Sequence, residues 1–555
     1  TLDRVTVDDS ADTAANAGEL TATRLTGLGM VATDTGRAGI TYSGIEALGV
    51  ALGSGADTFV IHSTHTGSTS LTTGGGADLV RIRTVSGPLS VDTGAGDDTI
   101  RVSDDGVGGD SIGGVTSGIG ASLTLTGGAG TDTLYVDDAV TSLDRVGVLT
   151  GTTISGLGMT STSSPSVVQV VTPIGVLPMT NGRIDYTQFE GLDITLGSGA
   201  DVVMINGTHT GTTTLHTGAG ADSVFVEGAS GTTTVEGQGG DDRFVVNAVP
   251  GPSGVNGMEG QTLNLNGGPG SDNYVVNLFG AGSSRVNVID EVDGGTNVLV
   301  VNGTDQADTF LFRKGMIAGL TGPTVAGTFT GAEQITYANT ITGGVTVNGR
   351  AGNDTFAFDD TSSVIVVNGD EGDDRFRFGQ LFTDYTAADA EFAIADADFT
   401  RTTRGLLTKG VSYSASVYGG TGNDTFEVFR NVATLNLYGE EGDDTFVIRS
   451  FVGESQTTLL DAGKGRDLIQ YVTNAPVNID GGPGDDTVIV IGTEFNDTFV
   501  ITSGGVYGAG RVLRYINVEH VSIYGMEGDD VFHILSTNPD IALSIYGGLG
   551  SDRVE

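Results

Sequence analysis

Aspartates that close glycine-rich turns are the residues of this sequence whose type and spacing are best suited to chemistry. Each lies between two apolar–x–apolar segments, as in VTVNGRAGNDTFAF (345–358) and LNLYGEEGDDTFVI (435–448). The carboxylate supplies a charged oxygen, and glycines let the turn direct main-chain carbonyl oxygens toward one point. Ca²⁺ takes six to eight oxygen ligands of these two kinds. The turns therefore predict calcium binding, provided that several turns stack and share each ion.

The turn aspartates recur about every 20 residues within runs, for example at 57, 78 and 98. One turn cannot complete a coordination shell, so the requirement is a register of turns, and that register is present. Asp also closes turns without a metal, but repetition on a chain with a net charge of −44 favours calcium. The candidate Ca²⁺ ligands are Asp57, Asp78, Asp98, Asp132, Asp201, Asp222, Asp242, Asp272, Asp354, Asp374, Asp424, Asp444, Asp467, Asp486, Asp530 and Asp552.

Two further motif aspartates, Asp308 and Asp497, close turns that lack the glycines, TDQAD (304–308) and TEFND (493–497). We expect these two turns to bind metal weakly or not at all. The other corner of a coil is often rich in Thr, Ser and Gly, as in STHTGSTS (63–70). This composition predicts calcium along one edge of the stack only.

Short strands must position these turns, because the flanking segments alternate apolar and polar residues with period two. An apolar residue two positions after the aspartate, such as Phe59, Phe356 or Phe446, would point inward. A unit of about 20 residues has too little apolar surface to fold alone, so a fixed period of this size indicates stacked coils around a continuous core. The predicted fold is all-β: a parallel β-solenoid, like a β-roll or β-helix, with a few inserted loops.

A longer order groups the coils into supermodules. The segments around Glu46, Glu190 and Glu519 are alike, and each glutamate precedes its motif aspartate by the same 11 residues. The predicted divisions are 1–127, 128–297 as a diverged copy of the first, 298–490, and 491–555 as the start of a fourth supermodule that copies the third.

Three segments interrupt the period: 103–120, 160–180 and 380–410. The last is rich in Ala and Asp and could hold one short helix. Inserted loops leave a solenoid on one face and often bind partners. We therefore read all three as excursions, with 380–410 the strongest candidate for a role of its own.

The composition excludes several classes of protein. With Gly 91 and Pro 11 of 555 residues and 38% hydrophobic residues, the chain is neither collagen nor a disordered acidic tail. Asp plus Glu number 69 against 25 Lys plus Arg, which argues against a nucleic-acid partner and for neutralising cations. Cys is absent, so there is no disulfide framework or thiolate site. No apolar run approaches the roughly 20 residues of a membrane span.

Three turns match the nonapeptide GGxGxDxUx, in which U is large and apolar: GGAGTDTLY (127–135), GGTGNDTFE (419–427) and GGPGDDTVI (481–489). The sequence thus resembles the RTX, or hemolysin-type, calcium-binding repeats over most of its length. It is similar in particular to very large acidic bacterial surface proteins that alternate such repeats with longer spacers. The resemblance implies a parallel β-roll with interstrand Ca²⁺ held by the motif aspartates and turn carbonyls. The chain departs from the family in having one motif per coil rather than nonapeptides back to back.

These patterns predict a structural protein and not an enzyme. We expect a calcium-stabilised rod or filament segment of a bacterial cell-surface or extracellular assembly, such as a fibre, adhesin stalk, matrix or surface layer. Both ends of the chain stop inside a motif, which predicts end-to-end self-association or continuation in a longer chain. A cell-surface polysaccharide is a further expected partner.

The alternative is a calcium-dependent polysaccharide-active β-helix enzyme, a lyase or an epimerase. Such sites usually cluster Lys or Arg with aromatic residues. Lys occurs only at 314, 409 and 464, and Trp never, so the sequence gives this alternative less support.

Overall fold

The computed structural model describes residues 3–30, 38–103, 114–160, 167–247, 260–290, 295–322, 329–382, 400–402, 405–449, 458–472, 477–508 and 510–555. These residues form short strands joined by turns, with one 3₁₀ helix at Thr116–Gly118. Within them no helix is long and apolar enough to cross a membrane. The chain divides into two compact units: unit 1 is Thr1–Tyr274 with Ser284–Thr296, and unit 2 is Val275–Ser283 with Asn297–Glu555.

Unit 1 consists of two sheets in which successive coils pair strand to strand, largely in parallel. In spatial order, the first sheet contains Arg4–Asp8, Ala47–Ala51, Ser68–Thr72, Leu89–Ala95, Leu123–Ala129, Arg183–Thr187, Thr153–Gly156, Val146–Leu149, Val202–Ile205, Ser223–Val226 and Arg243–Val246. The second sheet contains Ile40–Thr41, Arg24–Gly27, Ala17–Thr21, Thr58–Ile61, Leu79–Ile82, Thr99–Val102, Thr133–Asp137, Gly191–Thr195, Thr212–His216, Thr232–Glu236, Thr262–Asn266 and Ser284–Val288.

Unit 2 repeats this architecture. Its first sheet contains Val298–Asn302, Val345–Asn348, Ile365–Glu371, Ala415–Thr421, Leu435–Glu441, Thr458–Asp461, Val477–Asp480, Arg511–Ile516, Gly505–Gly508, Thr498–Thr502, Val531–Ile534 and Arg553–Val554. Its second sheet contains Gly331–Tyr337, Met316–Thr321, Thr309–Arg313, Thr355–Phe358, Arg375–Phe378, Thr425–Val428, Thr445–Ile448, Leu468–Tyr471, Thr487–Ile491, His520–Tyr524 and Ala542–Tyr546. The strand Asn273–Asn277 contributes residues to both units.

The parallel β-solenoid predicted from the sequence is confirmed. Parallel strands pair in register, so that Phe356 lies beside Phe376 and Phe426 beside Phe446. The inward orientation of the apolar residue two positions after the aspartate is confirmed as well, because these side chains are fully buried. In unit 2 they stack ring on ring, with centroids 4.8 Å apart for Phe376 and Phe426 and 4.6 Å apart for Phe426 and Phe446. Each stacked pair adds about 0.5–1.5 kcal/mol beyond the area it buries.

Each unit also contains an antiparallel interruption that shifts the coils by half a turn. In unit 1, Val146–Leu149, Thr153–Gly156 and Arg183–Thr187 form consecutive antiparallel neighbours in the first sheet. Strands that follow a motif aspartate belong to the second sheet before this interruption, as with Thr133–Asp137, and to the first sheet after it, as with Val202–Ile205. The three strands Thr498–Thr502, Gly505–Gly508 and Arg511–Ile516 do the same in unit 2. The motif turns therefore change from one edge of the coil to the other.

Two excursions are partly described. Val167–Thr172 and Gly175–Thr180 form a separate antiparallel hairpin within the predicted insertion 160–180. Leu381–Phe382, Thr400–Thr402 and Gly405–Leu407 form a small antiparallel sheet at the borders of the insertion 380–410. The short helix expected there falls on 383–399, outside the described residues, as does much of 103–120. The division into four supermodules stays a prediction.

Candidate metal centre

The six-residue turn that ends at most of the motif aspartates has a common backbone form, which the turn that begins each row lacks. In the turn Gly439–Asp444, position 2 is Glu440 with φ 76° and position 4 is Gly442 with φ 144°. The φ of position 4 is one that only glycine adopts readily. A Cβ at Gly442 would also collide with the carbonyl oxygen of Gly422 in the preceding coil. Position 2 tolerates other residues in the left-handed region, as at Arg350 and Asp370, at a cost of about 1–2 kcal/mol each.

Most motif aspartates at position 6 are buried, and they are linked from coil to coil. The Asp424 N–H donates to Asp444 Oδ1 at 2.7 Å. The Asp444 N–H donates in turn to Asp467 Oδ1 at 2.8 Å. The same bond recurs along four aspartate rows: Asp57, Asp78, Asp98 and Asp132; Asp201, Asp222, Asp242 and Asp272; Asp308, Asp354, Asp374, Asp424, Asp444, Asp467 and Asp486; and Asp497, Asp530 and Asp552.

The half-turn shift places two rows of one unit on different edges of the coil. The row from Asp57 to Asp132 is followed by strands of the second sheet, and the row from Asp201 by strands of the first. The motif aspartates of one row therefore share an edge, but those of a whole unit do not, so the expectation of a single edge is wrong for a unit. Calcium binding at either edge stays a prediction. The motif spacing changes at both shifts: Asp201 follows Asp132 by 69 residues, and Asp497 follows Asp486 by 11 residues, about half a coil.

The second carboxylate oxygen, Oδ2, accepts no hydrogen bond at most of these aspartates, although it is shielded from water. A buried acceptor without a donor is costly, and more so when it is charged. The described aspartates with this unpaired Oδ2 and no threonine beside it are Asp57, Asp132, Asp201, Asp242, Asp354, Asp374, Asp424, Asp444, Asp467, Asp486 and Asp530. At Asp78, Asp98 and Asp222 the hydroxyl of Thr73, Thr93 or Thr217 interacts with the carboxylate and lowers its pKa against the effect of burial.

A backbone carbonyl of the next coil lies beside this unpaired oxygen. A Cβ at Gly419 would collide with Asp424 Oδ2 and with the carbonyl oxygen of Gly439. A Cβ at Gly369 would meet Asp374 Oδ2 and the carbonyl oxygen of Gly419 in the same way. Two acceptors thus converge next to Gly369 and next to Gly419, with no donor between them. A proton or a cation between the two oxygens would stabilise this arrangement.

Burial is the main cause of the raised pKa values of these carboxyls. It raises the pKa of Asp354 and Asp424 to about 8 and that of Asp444 to about 6, and the N–H of the preceding coil opposes the shift. At Asp354 and Asp424 the neighbouring carboxylates of the row raise the pKa further. The anions are therefore poorly stabilised by the protein alone.

Asp308 and Asp497, the two aspartates without glycine turns, differ from the others. Asp308 Oδ2 accepts from the Thr304 N–H at 2.6 Å and from the Thr304 hydroxyl at 3.0 Å. Asp497 accepts from the N–H and hydroxyl of Thr493 in the same manner. Threonine at position 2 thus satisfies the oxygen that is unpaired elsewhere. Asp552, the last candidate ligand, is exposed.

A second, exposed ladder was not predicted from the sequence. Position 5 is often Asn or Asp, and its Oδ1 accepts from the position-5 N–H of the following coil. The Asn423 N–H donates to Asp373 Oδ1 and the Asp443 N–H to Asn423 Oδ1, both at 2.8 Å. The frequent Asn-Asp and Asp-Asp pairs at the ends of the motifs were the sequence signal from which this ladder could have been predicted.

Glutamates end two of the aspartate rows, a role that sequence reasoning also missed. The Asp132 N–H donates to Glu190 Oε2 at 2.8 Å, and the Asp486 N–H donates to Glu519 Oε2 at 2.9 Å. The Asp3 N–H has the same bond to Glu46 Oε2 at 2.6 Å. The constant spacing of 11 residues before the next motif aspartate was the signal for these three glutamates.

The donor set suits a hard cation, because carboxylate and carbonyl oxygens are the ligands that Ca²⁺ prefers. Within the described residues no three side chains of His, Cys, Asp or Glu converge on one point. A Ca²⁺ ion at these turns would therefore be held by one or two motif aspartates together with turn carbonyls and water.

The first sheet of unit 2 carries a groove that is lined by acidic and tyrosine side chains. It has a volume of about 1310 Å³ and is lined by Asp370, Glu440, Asp461, Tyr418 and Tyr438, among others. The two tyrosine rings stack with centroids 4.6 Å apart. Burial raises the pKa of Glu440, and the carboxylates of Asp370 and Asp461 raise it further.

Fold and site together define a class: a parallel β-solenoid with rows of buried carboxylates in which one oxygen accepts a hydrogen bond and the other does not. No family model and no curated protein matches the chain. Among solved structures, it matches a hyperactive, Ca²⁺-dependent, β-helical antifreeze protein from an Antarctic bacterium. That match has 15% identity, covers 84% of this chain and 82% of the other, and has a TM-score of 0.14. These values carry no argument about this chain, and the resemblance to RTX repeats stays a prediction.

Proposed function

We propose that this chain is a calcium-stabilised structural β-solenoid. The observation that carries the proposal is the row of buried aspartates whose Oδ2 faces a carbonyl oxygen of the next coil and no donor. A bound Ca²⁺ would supply the positive charge that this oxygen pair lacks. The residues that would hold it are the candidate aspartates with an unpaired Oδ2, together with the carbonyl oxygens of their turns.

The chain's own residues prepare each site before any ion binds. The N–H of the preceding aspartate fixes Oδ1, as at Asp424 and Asp444, and this fixes the direction of Oδ2. The position-4 glycine lets the coils stack closely enough for the next carbonyl to reach the same point. Preorganised oxygens lower the ordering cost of binding. The same ladder couples neighbouring coils, so that satisfying one site stiffens the next.

The proposed setting is a bacterial cell-surface or extracellular assembly, in which the solenoid is a rod or filament segment. The net charge of −44 supports this proposal, because self-repulsion opposes folding until cations neutralise the carboxylates. Stiffening at extracellular calcium concentrations would suit a load-bearing or spacing role. We include end-to-end self-association or continuation in a longer chain in the proposal.

Calcium dependence of the fold tests the proposal directly. Far-UV circular dichroism and thermal unfolding of the whole chain would be recorded in EGTA and then in millimolar calcium, with magnesium as the control ion. We expect a marked gain in β-structure or melting temperature with calcium. An unchanged spectrum and melting temperature in both buffers would refute the proposal. Electron microscopy of the native source would test the filament role separately.

The groove in unit 2 supports a second candidate function, that of a polysaccharide-active enzyme. Glu440, with its raised pKa beside Asp370 and Asp461, has the character of a general acid. Purified chain would be incubated with uronate polymers and the products followed by ultraviolet absorbance and chain length. Loss of activity in Glu440→Gln would favour the enzyme, provided that Glu19→Gln keeps the activity. Glu19 is an exposed carboxylate elsewhere in the chain and serves as the control. Intact polymer under all calcium conditions would exclude it for those substrates.

A further inference from the structure

The hairpin formed by Val167–Thr172 and Gly175–Thr180, here called the arm, is apolar where the rest of the chain is acidic. Its side chains Val167, Val171 and Val176 are 60%, 73% and 59% exposed. No charged residue occurs between Arg145 and Arg183. Exposed valines on a sheet face are expected where a surface meets a partner.

The pairing within the arm leaves one edge open. Thr172 and Gly175 close a two-residue loop and so form a hydrogen-bonded pair, and such pairs alternate with non-bonded pairs along the hairpin. Gln169 and Pro178 are consequently a non-bonded pair. The N–H and C=O groups of Val167, Gln169 and Val171 therefore point away from the partner strand. In the described part of the chain, Val167–Thr172 pairs with Gly175–Thr180 alone.

The opposite edge of the arm is blocked. Pro178 occupies the corresponding outward position of the second strand and has no N–H to donate. Met179, on the same strand, is buried and lies close to Gly156 of the solenoid. Only the edge of Val167–Thr172 is thus suited to strand addition.

We propose that this edge pairs with the same edge of a second copy of the chain. The segment Val167-Val168-Gln169-Val170-Val171 reads identically in both directions. Antiparallel pairing about Gln169 therefore places Val167 opposite Val171 of the second copy and Gln169 opposite its own counterpart. The three outward residues of each strand would exchange hydrogen bonds across a two-fold axis, which is the symmetry of most homodimers.

Charge favours this contact over others between two copies. With a net charge of −44 per chain, most faces repel one another. The uncharged arm is a place where two copies can approach without placing carboxylates together. The pairing also extends a two-stranded hairpin, which is marginal alone, to a four-stranded sheet that carries the exposed valines of both copies on either side of the paired Gln169 residues. This contact would join solenoids side by side, independently of any contact between their ends.

Sedimentation velocity and light scattering of the whole chain in calcium buffer test this dimer. We expect a concentration-dependent species of twice 56.4 kDa. Gln169→Asp and Gln169→Lys each place like charges at the two-fold axis, and each should raise the dimer dissociation constant at least about fivefold. Mixing the two variants pairs opposite charges and should restore the dimer. Leu535→Asp, a charge added at a side chain that is 70% exposed, is the control and should leave the dimer unchanged.

Three outcomes would overturn the proposal. One is a wild-type chain that stays at 56.4 kDa at the highest concentration reached. Another is a dimer that Gln169→Asp and Gln169→Lys leave intact while circular dichroism shows both variants folded. The third is a monomer whose arm binds neutral phosphatidylcholine vesicles in a flotation assay and loses that binding in Gln169→Asp, which would assign the apolar face to a lipid surface instead.

Discussion

Replacing Asp444 by Asn should have opposite effects on stability with and without calcium. Asn keeps the oxygen that accepts the Asp424 N–H and puts an amide group where the unpaired Oδ2 lies. That amide can donate to the neighbouring carbonyl oxygen of Ala462. In the metal-free protein the substitution removes a buried anion that the protein stabilises poorly. In calcium it removes a charged ligand.

The pKa of Asp444 gives the size of the metal-free effect. Burial raises it from 3.8 to about 6. A shift of about two units corresponds to about 3 kcal/mol against the anion, and screening by water at the edge reduces this to about 1–2 kcal/mol. Asp444→Asn should therefore stabilise the EGTA form by about 1–2 kcal/mol at neutral pH. In calcium the wild type gains about 2.7 kcal/mol from an ion present at about 100 times its dissociation constant and the variant does not. After the metal-free gain of the variant is subtracted, Asp444→Asn should be destabilising in calcium by about 1–2 kcal/mol.

Denaturant unfolding followed by circular dichroism in the two buffers measures both changes as shifts of the midpoint. Asp308→Asn is the matched control. Asp308 accepts from the N–H and hydroxyl of Thr304, so this substitution should cost about 1 kcal/mol whether or not calcium is present. An equal loss for Asp444→Asn in both buffers would show that the aspartate rows are structural hydrogen-bond ladders only. A gain in stability for Asp444→Asn in both buffers would show that the aspartate rows bind no cation.

Three further predictions follow from the same geometry. Metal-free stability should fall as the pH rises from about 4 to 7. Burial raises the pKa of Asp201 and Asp467 to about 7, so in this range the native state binds more protons than the unfolded chain. Melting temperatures in EGTA that rise over this range would contradict this prediction. Anomalous scattering from calcium-soaked crystals should show ions beside Asp444 and none beside Asp308; the reverse pattern would reject the assignment. Gly442→Ala should destabilise by about 2–3 kcal/mol in unfolding experiments, because its Cβ meets a carbonyl of the preceding coil, whereas Glu440→Gly should be neutral or stabilising; equal effects of the two would show that the turn is not packed this way.

The antiparallel interruptions have a consequence for how the calcium sites are distributed. Each one ends an aspartate row at one edge and begins another at the other edge, as between Asp132 and Asp201 in unit 1. A glutamate occupies the end of the first row, where no further aspartate follows. Alternating edges spread the negative charge over both sides of a unit. Long rows on a single edge would concentrate it.

The sequence alone determined the coil, because the coil depends on local information. Alternating apolar residues specify short strands, the glycine at position 4 permits a φ that other residues avoid, and the motif spacing sets the length of each coil. These features were sufficient to predict a parallel solenoid, the inward Phe residues and the register of aspartates at the turns. They also distinguished Asp308 and Asp497, whose turns lack glycine.

The tertiary structure decided what depends on contacts between coils. The neighbouring coil decides whether a carboxylate oxygen has a hydrogen-bond donor. That Asp424 and Asp444 each have one oxygen with a donor and one without could therefore not be inferred from either turn alone. The shift of the rows between edges depends on antiparallel strands such as Thr153–Gly156, and the direction in which a strand pairs is decided by contacts between strands. The capping role of Glu190 arises because a residue 58 positions from Asp132 in sequence becomes its neighbour in the next coil. A pattern of period 20 specifies one coil, and only stacking shows which groups of adjacent coils meet.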